Sequence, residues 1–408
     1  MKKILQYPIA VLFALFISVF FLVDVFNSDR AFSEFENTSL AQKPAFSWSS
    51  FVDGSFGSKY VKYINEQFLG RDNWISMKAV ADMGLGRIES HGVTYGDDHY
   101  LMEKLEIVED QNYPANAGTN IVKQTLLDRS NGMVSSFLQM YDQPITFSLV
   151  LEDEVPTGFP GANQQVYTQQ IYQTLREADD QLEIVDFSDA LSQHKDEYIY
   201  YRTDHHWTTL GAYYAYVAYC EQKGLTPVSL EELEESKVED FYGTFYSKAK
   251  RPSQPADTIT WYDVDVDEFA FVANLQQDKQ LAQLGEVVQE DGLELLRVDG
   301  MMDRRKFEVR DKYAAFMWGN SGYVKIKSSH NLNHQEGKTS RLLLFKDSYA
   351  NSMIPYLTYN YDEIIVVDLR YMAKSTKELM QEEFDDIFVM YNFSTYVSGA
   401  SDLAKLKF

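Results

Sequence analysis

From about residue 119 onward the chain alternates helix-like and strand-like segments, an order that few folds accommodate. The run 120–141 has a helical period, 145–151 (ITFSLVL) is a continuous apolar strand, 164–178 is helical and 182–187 (LEIVDF) is a strand. A helix follows at 208–224, capped by Thr208 or Thr209 at one end and Gly224 at the other. The pattern breaks at 225 and resumes with strand 341–345, helix 348–357, strand 363–369, helix 375–382 and strand 386–391. Strands joined through helices run parallel, with the helices covering both faces of the sheet. The expected fold class is therefore α/β. Between about 225 and 338 the chain reads as an acidic helix (230–236), a loop with Pro252 and Pro255, and the strand-like runs TITWYDVDV, FAFVAN, ELLRV and YVKIKS. Because the alternation restarts directly afterwards, this stretch is expected to be a strand-rich insertion in one domain, 119–408.

Hydrophobic residues make up 45% of the 408, including 28 Tyr and 26 Phe, enough for a large core. The net charge of −24, with no basic stripe, excludes nucleic acid, whose binding needs clustered Lys and Arg. The single cysteine, Cys220, rules out an intrachain disulfide and a four-cysteine zinc site. It is expected to be a small buried residue on helix 208–224.

At the N-terminus, Lys2 and Lys3 precede a nearly unbroken apolar run from Ile4 to Phe26. At about 1.5 Å per residue such a run can cross a bilayer core of roughly 30 Å. It is longer than the apolar region of a cleaved signal peptide and lacks a small-x-small site, so residues 1–30 are expected to be a cytoplasmic tip and an uncleaved transmembrane anchor. The positive-inside rule leaves the N-terminus in the cytoplasm and the rest of the chain outside the cell. Residues 31–118 form a membrane-proximal segment. Phe51, Tyr60, Tyr63, Ile64 and Phe68 predict an amphipathic helix ending near Gly70, a second helix covers 73–83, and Val93/Tyr95 face Tyr100/Leu101 in a hairpin across Gly96-Asp97-Asp98.

Two short motifs carry chemistry. In YYRTDHHWTTLGAYYAY, Asp204, His205, His206 and Trp207 stand at the mouth of a helix. In SRLLLFKDSYANSMIPYL, Ser348 follows an apolar strand and opens a helix, where its hydroxyl reaches the carboxyl edge of a parallel sheet and its N–H lies at a helix N-terminus. That is nucleophile geometry, and it is also an ordinary N-cap. Residues two apart in an extended segment share a side, so Asp204 can orient His206 rather than His205, and His206 can take the Ser348 proton. A metal site would use the same residue types, yet the other histidines form no H-x-H or H-x-x-x-H partner motif on a helix. At this level a triad, a metal site and a structural corner all remain open.

TDHHWTTLGAYYAY, LLLFKDSYANSMIPYL and DEIIVVDLRY together resemble the DHHW proteins of bacterial cell envelopes, relatives of the alginate O-acetyltransferases with an SGNH-hydrolase-like domain. The resemblance extends upstream through FSEFENTSLAQKPAFSW, YINEQFLGRDNW and GVTYGDDHYLME. It implies a flavodoxin-like α/β/α sandwich with a triad in the order Asp, His, Ser. The Asp-x-His-Trp segment of the alginate enzymes is matched by Asp204, His206 and Trp207, and their later serine by Ser348. It implies an extracytoplasmic O-acyltransferase acting on a cell-surface or secreted polysaccharide. The acyl donor would be a membrane-bound O-acyltransferase partner, since no acetyl-CoA exists outside the cell. No cofactor and no metal are called for. Water as acceptor would make the same triad an esterase, and a non-catalytic accessory of an acetylation complex is the reading from another class.

This chain departs from that family pattern in having Lys346-Asp347-Ser348 where Gly-Asp-Ser is usual, and in lacking a Gly-x-Asn-Asp block. Asn320 and Asn351 are the candidates for a side-chain oxyanion donor. Arg370 and Tyr371 follow strand 363–369 and so fall at the same sheet edge as Ser348, where they can meet a sugar or carboxylate; His205 and Trp207 are further substrate-side candidates.

Overall fold

The computed structural model describes residues 7–407 except 34, 36–37, 110–119, 142, 154–157, 276–277 and 279. The chain divides into two compact units, one of residues 1–90 with 250–254 and the other of residues 91–249 with 255–408.

The first unit is helical. Helix α1, Pro8–Phe26, occupies the apolar run. Among the described residues no helix is long and apolar enough to cross a membrane. The predicted amphipathic helix is split: Trp48–Val52 is a short helix and α2 covers Ser55–Gln67, with Gly54 between them at φ +79°, a left-handed conformation that interrupts a helix. Helix α3, Arg71–Gly84, covers the predicted second helix. Arg30 ties the chain after α1 to α3 through Asp72, at 2.9 Å.

The second unit begins with a hairpin of β1 (Val93–Tyr95) and β2 (Leu101–Glu103), in which Tyr95 pairs with Leu101. In chain order there follow α4 (Gln124–Met140), β3 (Ile145–Val150), α5 (Gln164–Ala178), β4 (Glu183–Ile184) and α6 (Thr209–Lys223). The insertion supplies β5 (Glu234–Phe241), β6 (Asp257–Asp263), β7 (Glu268–Phe271), β8 (Gly285–Glu290), β9 (Leu293–Val298) and β10 (Val324–Lys327). The last strands are β11 (Arg341–Lys346), β12 (Glu363–Val367) and β13 (Asp386–Asn392).

Among the described residues nine of these strands form one sheet in the order β8-β9-β7-β10-β12-β11-β13-β3-β4. From β12 to β4 neighbours run parallel, whereas β10, β7, β9 and β8 continue the sheet antiparallel. The insertion is thus no appendage but supplies four of the nine strands of this sheet. Lys325, on β10, is buried and bonded to Glu290 at 2.8 Å and Asp291 at 3.0 Å, which compensates an otherwise costly charge inside this wing. Strands β5 and β6 form a separate antiparallel pair.

Strand β11 explains why the centre of the sheet is apolar on both sides. Leu342 and Leu344 enter one core with Tyr216, Tyr219 and Ile354, and Leu343 and Phe345 enter the other with Phe137 and Leu175. Burying each such side chain contributes roughly 1.5–3 kcal/mol. Helix α6 is capped as its sequence predicts: the Thr208 hydroxyl accepts from the Gly211 N–H at 3.3 Å and Gly224 ends it at φ +68°. Cys220 is fully buried, and burial pushes its thiol up to about 12.

Three expectations need correction. The predicted acidic helix at 230–236 is a single 3-10 turn, Leu230–Glu232, followed by β5; pairing with β6 overrides the helix propensity of Leu and Glu. Residues 121–123 of the predicted helix 120–141 are a short strand, and α4 starts at Gln124. The predicted helix 348–357 is a 3-10 turn, Ser348–Ser352, followed by a separate helix, Ile354–Leu357. Pro355 has no N–H to give the Asn351 carbonyl, so an α-helix cannot run through this point.

Candidate active site

The carboxyl ends of the parallel strands gather the polar residues of the second unit. Lys346, Asp347 and Ser348 follow or end β11, Asp368 and Arg370 follow β12, Asn392 ends β13, and Glu152 follows β3. The DHHW segment reaches the same edge. The His206 Nδ1 lies 2.5 Å from Asp204 Oδ1, and its Nε2 lies 2.8 Å from Ser348 Oγ. Asp204 and His206 are each only 5% exposed, while Ser348 is half-buried, so the relay is shielded along its length and open at the hydroxyl end.

Each member is held by neighbours. Asp204 Oδ1 also accepts the His206 backbone N–H at 3.1 Å, and Oδ2 accepts that of Thr244 at 2.7 Å. Burial works against its charge, but His205, His206 and the Thr244 N–H outweigh this and hold the carboxyl well below the usual carboxylate range. Gly243 allows the close approach: a Cβ there would lie 2.2 Å from the Asp204 Cβ and 2.3 Å from its Oδ2. One residue before Asp204, Thr203 is anchored by its N–H to Asp257 Oδ2 at 2.7 Å, and Arg202 donates to Asp257 Oδ1 at 3.0 Å. Tyr313 stacks on His206, and its hydroxyl donates to the Ser348 carbonyl at 3.1 Å. The turn carrying Ser348 is fixed by Asp347, which accepts from Tyr349 N at 3.0 Å and from Asn392 N at 2.7 Å.

The other candidates divide. Trp207 is fully buried, with its indole N–H on the Tyr349 carbonyl at 2.9 Å and Ser352 Oγ at 3.0 Å. It braces the serine turn and has no surface for a substrate, a correction to its assignment as a substrate-side residue. His205 is half-buried beside His206, with ring centroids 3.9 Å apart, and its Nδ1 lies 3.6 Å from Asp204, beyond hydrogen-bond reach. Burial, with His206 adding to it, pushes its ring down to about 4. Asn351 is buried and Asn320 exposed, and they touch each other and Lys346. Arg370 grips Asp368 through two bonds of 2.9 and 2.6 Å, and Tyr371 is 56% exposed.

Among the described residues, Asp204, His205 and His206 are the group whose ligand atoms come close enough, within 4.8 Å, for a metal ion. His206 already spends both ring nitrogens on Asp204 and Ser348, so an ion would have to displace one of them.

Three residues that sequence reasoning passed over complete the surroundings. Tyr313 and Gly243 lie in segments without periodic pattern. Glu152 is different: it directly follows the end of strand 145–151, so the strand-end rule that selects Ser348 selects it too. Its carboxylate accepts from Asn392 Nδ2 at 2.9 Å and Ser394 Oγ at 2.8 Å, and burial pushes it up to about 7.

The model of the DHHW protein family matches residues 134–367, a span that includes Asp204, His206 and Ser348. A DHHW family protein from Eubacterium siraeum is similar in structure at 22% identity, covering 78% of this chain and 96% of that one with a TM-score of 0.57. Bacillus cereus PatB1 is similar at 13% identity, covering 74% of this chain and 96% of that one, with a TM-score of 0.52. A second PatB1 structure, carrying a sulfonyl adduct, has a TM-score of 0.50. The O-acetyltransferase domain of Pseudomonas putida AlgJ matches at 12% identity over 77% of this chain and 98% of that one, but its TM-score of 0.40 is too low to argue from. No curated protein matches the chain by sequence. At these identities the likeness is one of fold. The family match covers more than half of the sequence, and the chain belongs to the DHHW protein family.

Proposed function

We propose that this protein is an extracytoplasmic O-acyltransferase that acetylates a hydroxyl of a cell-surface or secreted polysaccharide through an acyl-enzyme on Ser348. The observation that carries this reading is the unbroken relay of 2.5 and 2.8 Å from Asp204 through His206 to Ser348. Ser348 Oγ attacks the acyl carbonyl of the donor while His206 Nε2 takes its proton. The proton then goes to the departing donor oxygen, leaving an ester on Ser348. In the second half the acceptor hydroxyl gives its proton to His206 and attacks that ester, and the proton returns to Ser348 Oγ. Asp204 remains ionised throughout, fixing the tautomer and balancing the imidazolium.

In this proposal the apolar run 4–26 acts as a membrane anchor, since at about 1.5 Å per residue a helix over that run can cross a bilayer core of roughly 30 Å. A catalytic unit outside the cell then needs its acyl group delivered across the membrane, which is the role of a membrane-bound O-acyltransferase partner. The net charge of −24 favours a neutral glycan acceptor over an anionic one.

The test is intact-mass analysis of the full chain in detergent after incubation with an activated acetyl ester, beside Ser348→Ala. One acetyl group on Ser348, absent in the variant, is expected. An unmodified Ser348 with no serine-dependent ester turnover would overturn the acyl-enzyme.

A further inference from the structure

The buried cation at the end of β11 has no role in the relay. Lys346 is 1% exposed, and its ammonium donates to Asn351 Oδ1 at 2.7 Å and Asn320 Oδ1 at 3.3 Å, with Asp368 Oδ2 at 3.5 Å. A lysine with three donors and no acceptor is an unusual residue to bury two positions before a nucleophile. Its contacts settle a question that amides normally leave open. An ammonium can face only the oxygen of an amide, so both Asn side chains must turn their oxygens toward Lys346 and their nitrogens away. Asn351 then gives an N–H to Asn320 Oδ1 at 3.2 Å. The Asn320 oxygen thus takes two donors, which turns its NH2 group away from both, on an exposed residue bonded to the turn Ser348–Ser352 through Asn351.

We infer that Lys346 is a positioning residue, which directly and through Asn351 fixes the Asn320 oxygen so that its amide N–H groups are presented to the substrate carbonyl oxygen. The inference rests on the acyl-enzyme reading above and names the side-chain donor that the reading leaves open. Oxyanion donors work because they are oriented before charge develops, and an exposed Asn on a loop has no orientation of its own. Lys346 supplies it from the rigid end of a central strand. Burial pushes this ammonium down to about 8, against the Asp368 and Asp347 carboxylates and aided by Arg370.

The experiment measures p-nitrophenolate release from p-nitrophenyl acetate by the full chain in detergent, with the Ser348→Ala rate subtracted, for wild type, Asn320→Ala, Lys346→Met, Lys346→Arg and the Asn320→Ala/Lys346→Met double variant. Asn320→Ala and Lys346→Met should each lower kcat on the order of 100-fold with KM within about twofold, as loss of one oxyanion donor does. The double variant should be no slower than either single one, because the two act as a unit. Wild-type kcat should fall above about pH 8 as Lys346 loses its proton. Lys346→Met should lack that falling limb, and Lys346→Arg, which keeps the charge, should recover part of the rate. Asn320 is exposed, so Asn320→Ala tests the donor without risk to the fold. Serine-dependent turnover that Asn320→Ala leaves unchanged, or losses that multiply in the double variant, would overturn the inference alone. Absence of serine-dependent release in the wild type would overturn it together with the acyl-enzyme.

Discussion

The ring of Tyr313 lies face to face with the imidazole of His206, with 3.8 Å between centroids and 12° between planes. When His206 takes the Ser348 proton, the resulting cation faces an aromatic π surface, an interaction worth about 0.5–2 kcal/mol, or roughly 2- to 30-fold in rate. Tyr313→Leu is expected to lower kcat within that range. Tyr313→Phe keeps the ring and loses the bond to the Ser348 carbonyl, so it should cost less. Equal losses in esterase assays of the two variants would assign the effect to the hydroxyl and not to the ring.

Asp204→Asn should lower turnover about 10²- to 10⁴-fold, because the amide favours the wrong imidazole tautomer. Combined with His206→Ala it should add little further loss. His205→Ala is expected to change the rate only a few-fold, since His205 is beyond hydrogen-bond reach of Asp204. A loss in His205→Ala as large as in His206→Ala would reverse the choice of histidine.

Gly243→Ala tests the support of the carboxylate from behind. The added methyl would sit 2.3 Å from Asp204 Oδ2, so either Asp204 or the 243–244 backbone must move. Overpacking of this kind costs about 1–3 kcal/mol, and displacement of Asp204 should lower kcat toward the Asp204→Asn level. Thermal unfolding and turnover read the two effects separately. Normal values of both would show that the backbone yields without cost.

Glu152 makes stability depend on pH. Its carboxyl is raised to about 7 by burial, whereas in the unfolded chain it titrates near its usual value of 4.5. Between those values the folded state binds more protons than the unfolded one, so stability falls as pH rises across the window. The full loss, reached above the folded value, is up to about 3 kcal/mol. Glu152→Gln removes the charge while keeping an oxygen for Asn392, so its unfolding temperature should change less between pH 5 and 8 than that of the wild type. Parallel curves for the two proteins would rule Glu152 out as the source.

Much of this site was legible because its chemistry sits where sequence patterns are strongest. The apolar run 342–345 marks a central strand, and a serine just beyond it must lie at the carboxyl edge of the sheet. The two-residue spacing of Asp204 and His206 selects the histidine that turns toward Asp204. What stayed hidden comes from segments whose position is set by tertiary contacts. Gly243, Thr244, Asp257 and Tyr313 lie in the insertion, where Leu230–Glu232 and β5 also defeated a helix reading based on Leu and Glu. Trp207 was misread because adjacency in sequence to His206 says nothing about depth, and a side chain next to an exposed group can point into the core.

The hydrogen bond between Ser348 and His206 joins groups 142 residues apart, and the contacts that hold Asp204 and stack on His206 come from the chain between them. A partly folded molecule with helix α6 formed and the sheet unassembled would contain all three residues and no nucleophile. Contacts of such long range form late and with slow closure of the intervening loop. Labelling of Ser348 by an active-site reagent during refolding would therefore time the completion of the whole second unit, and the labelled fraction would measure its yield.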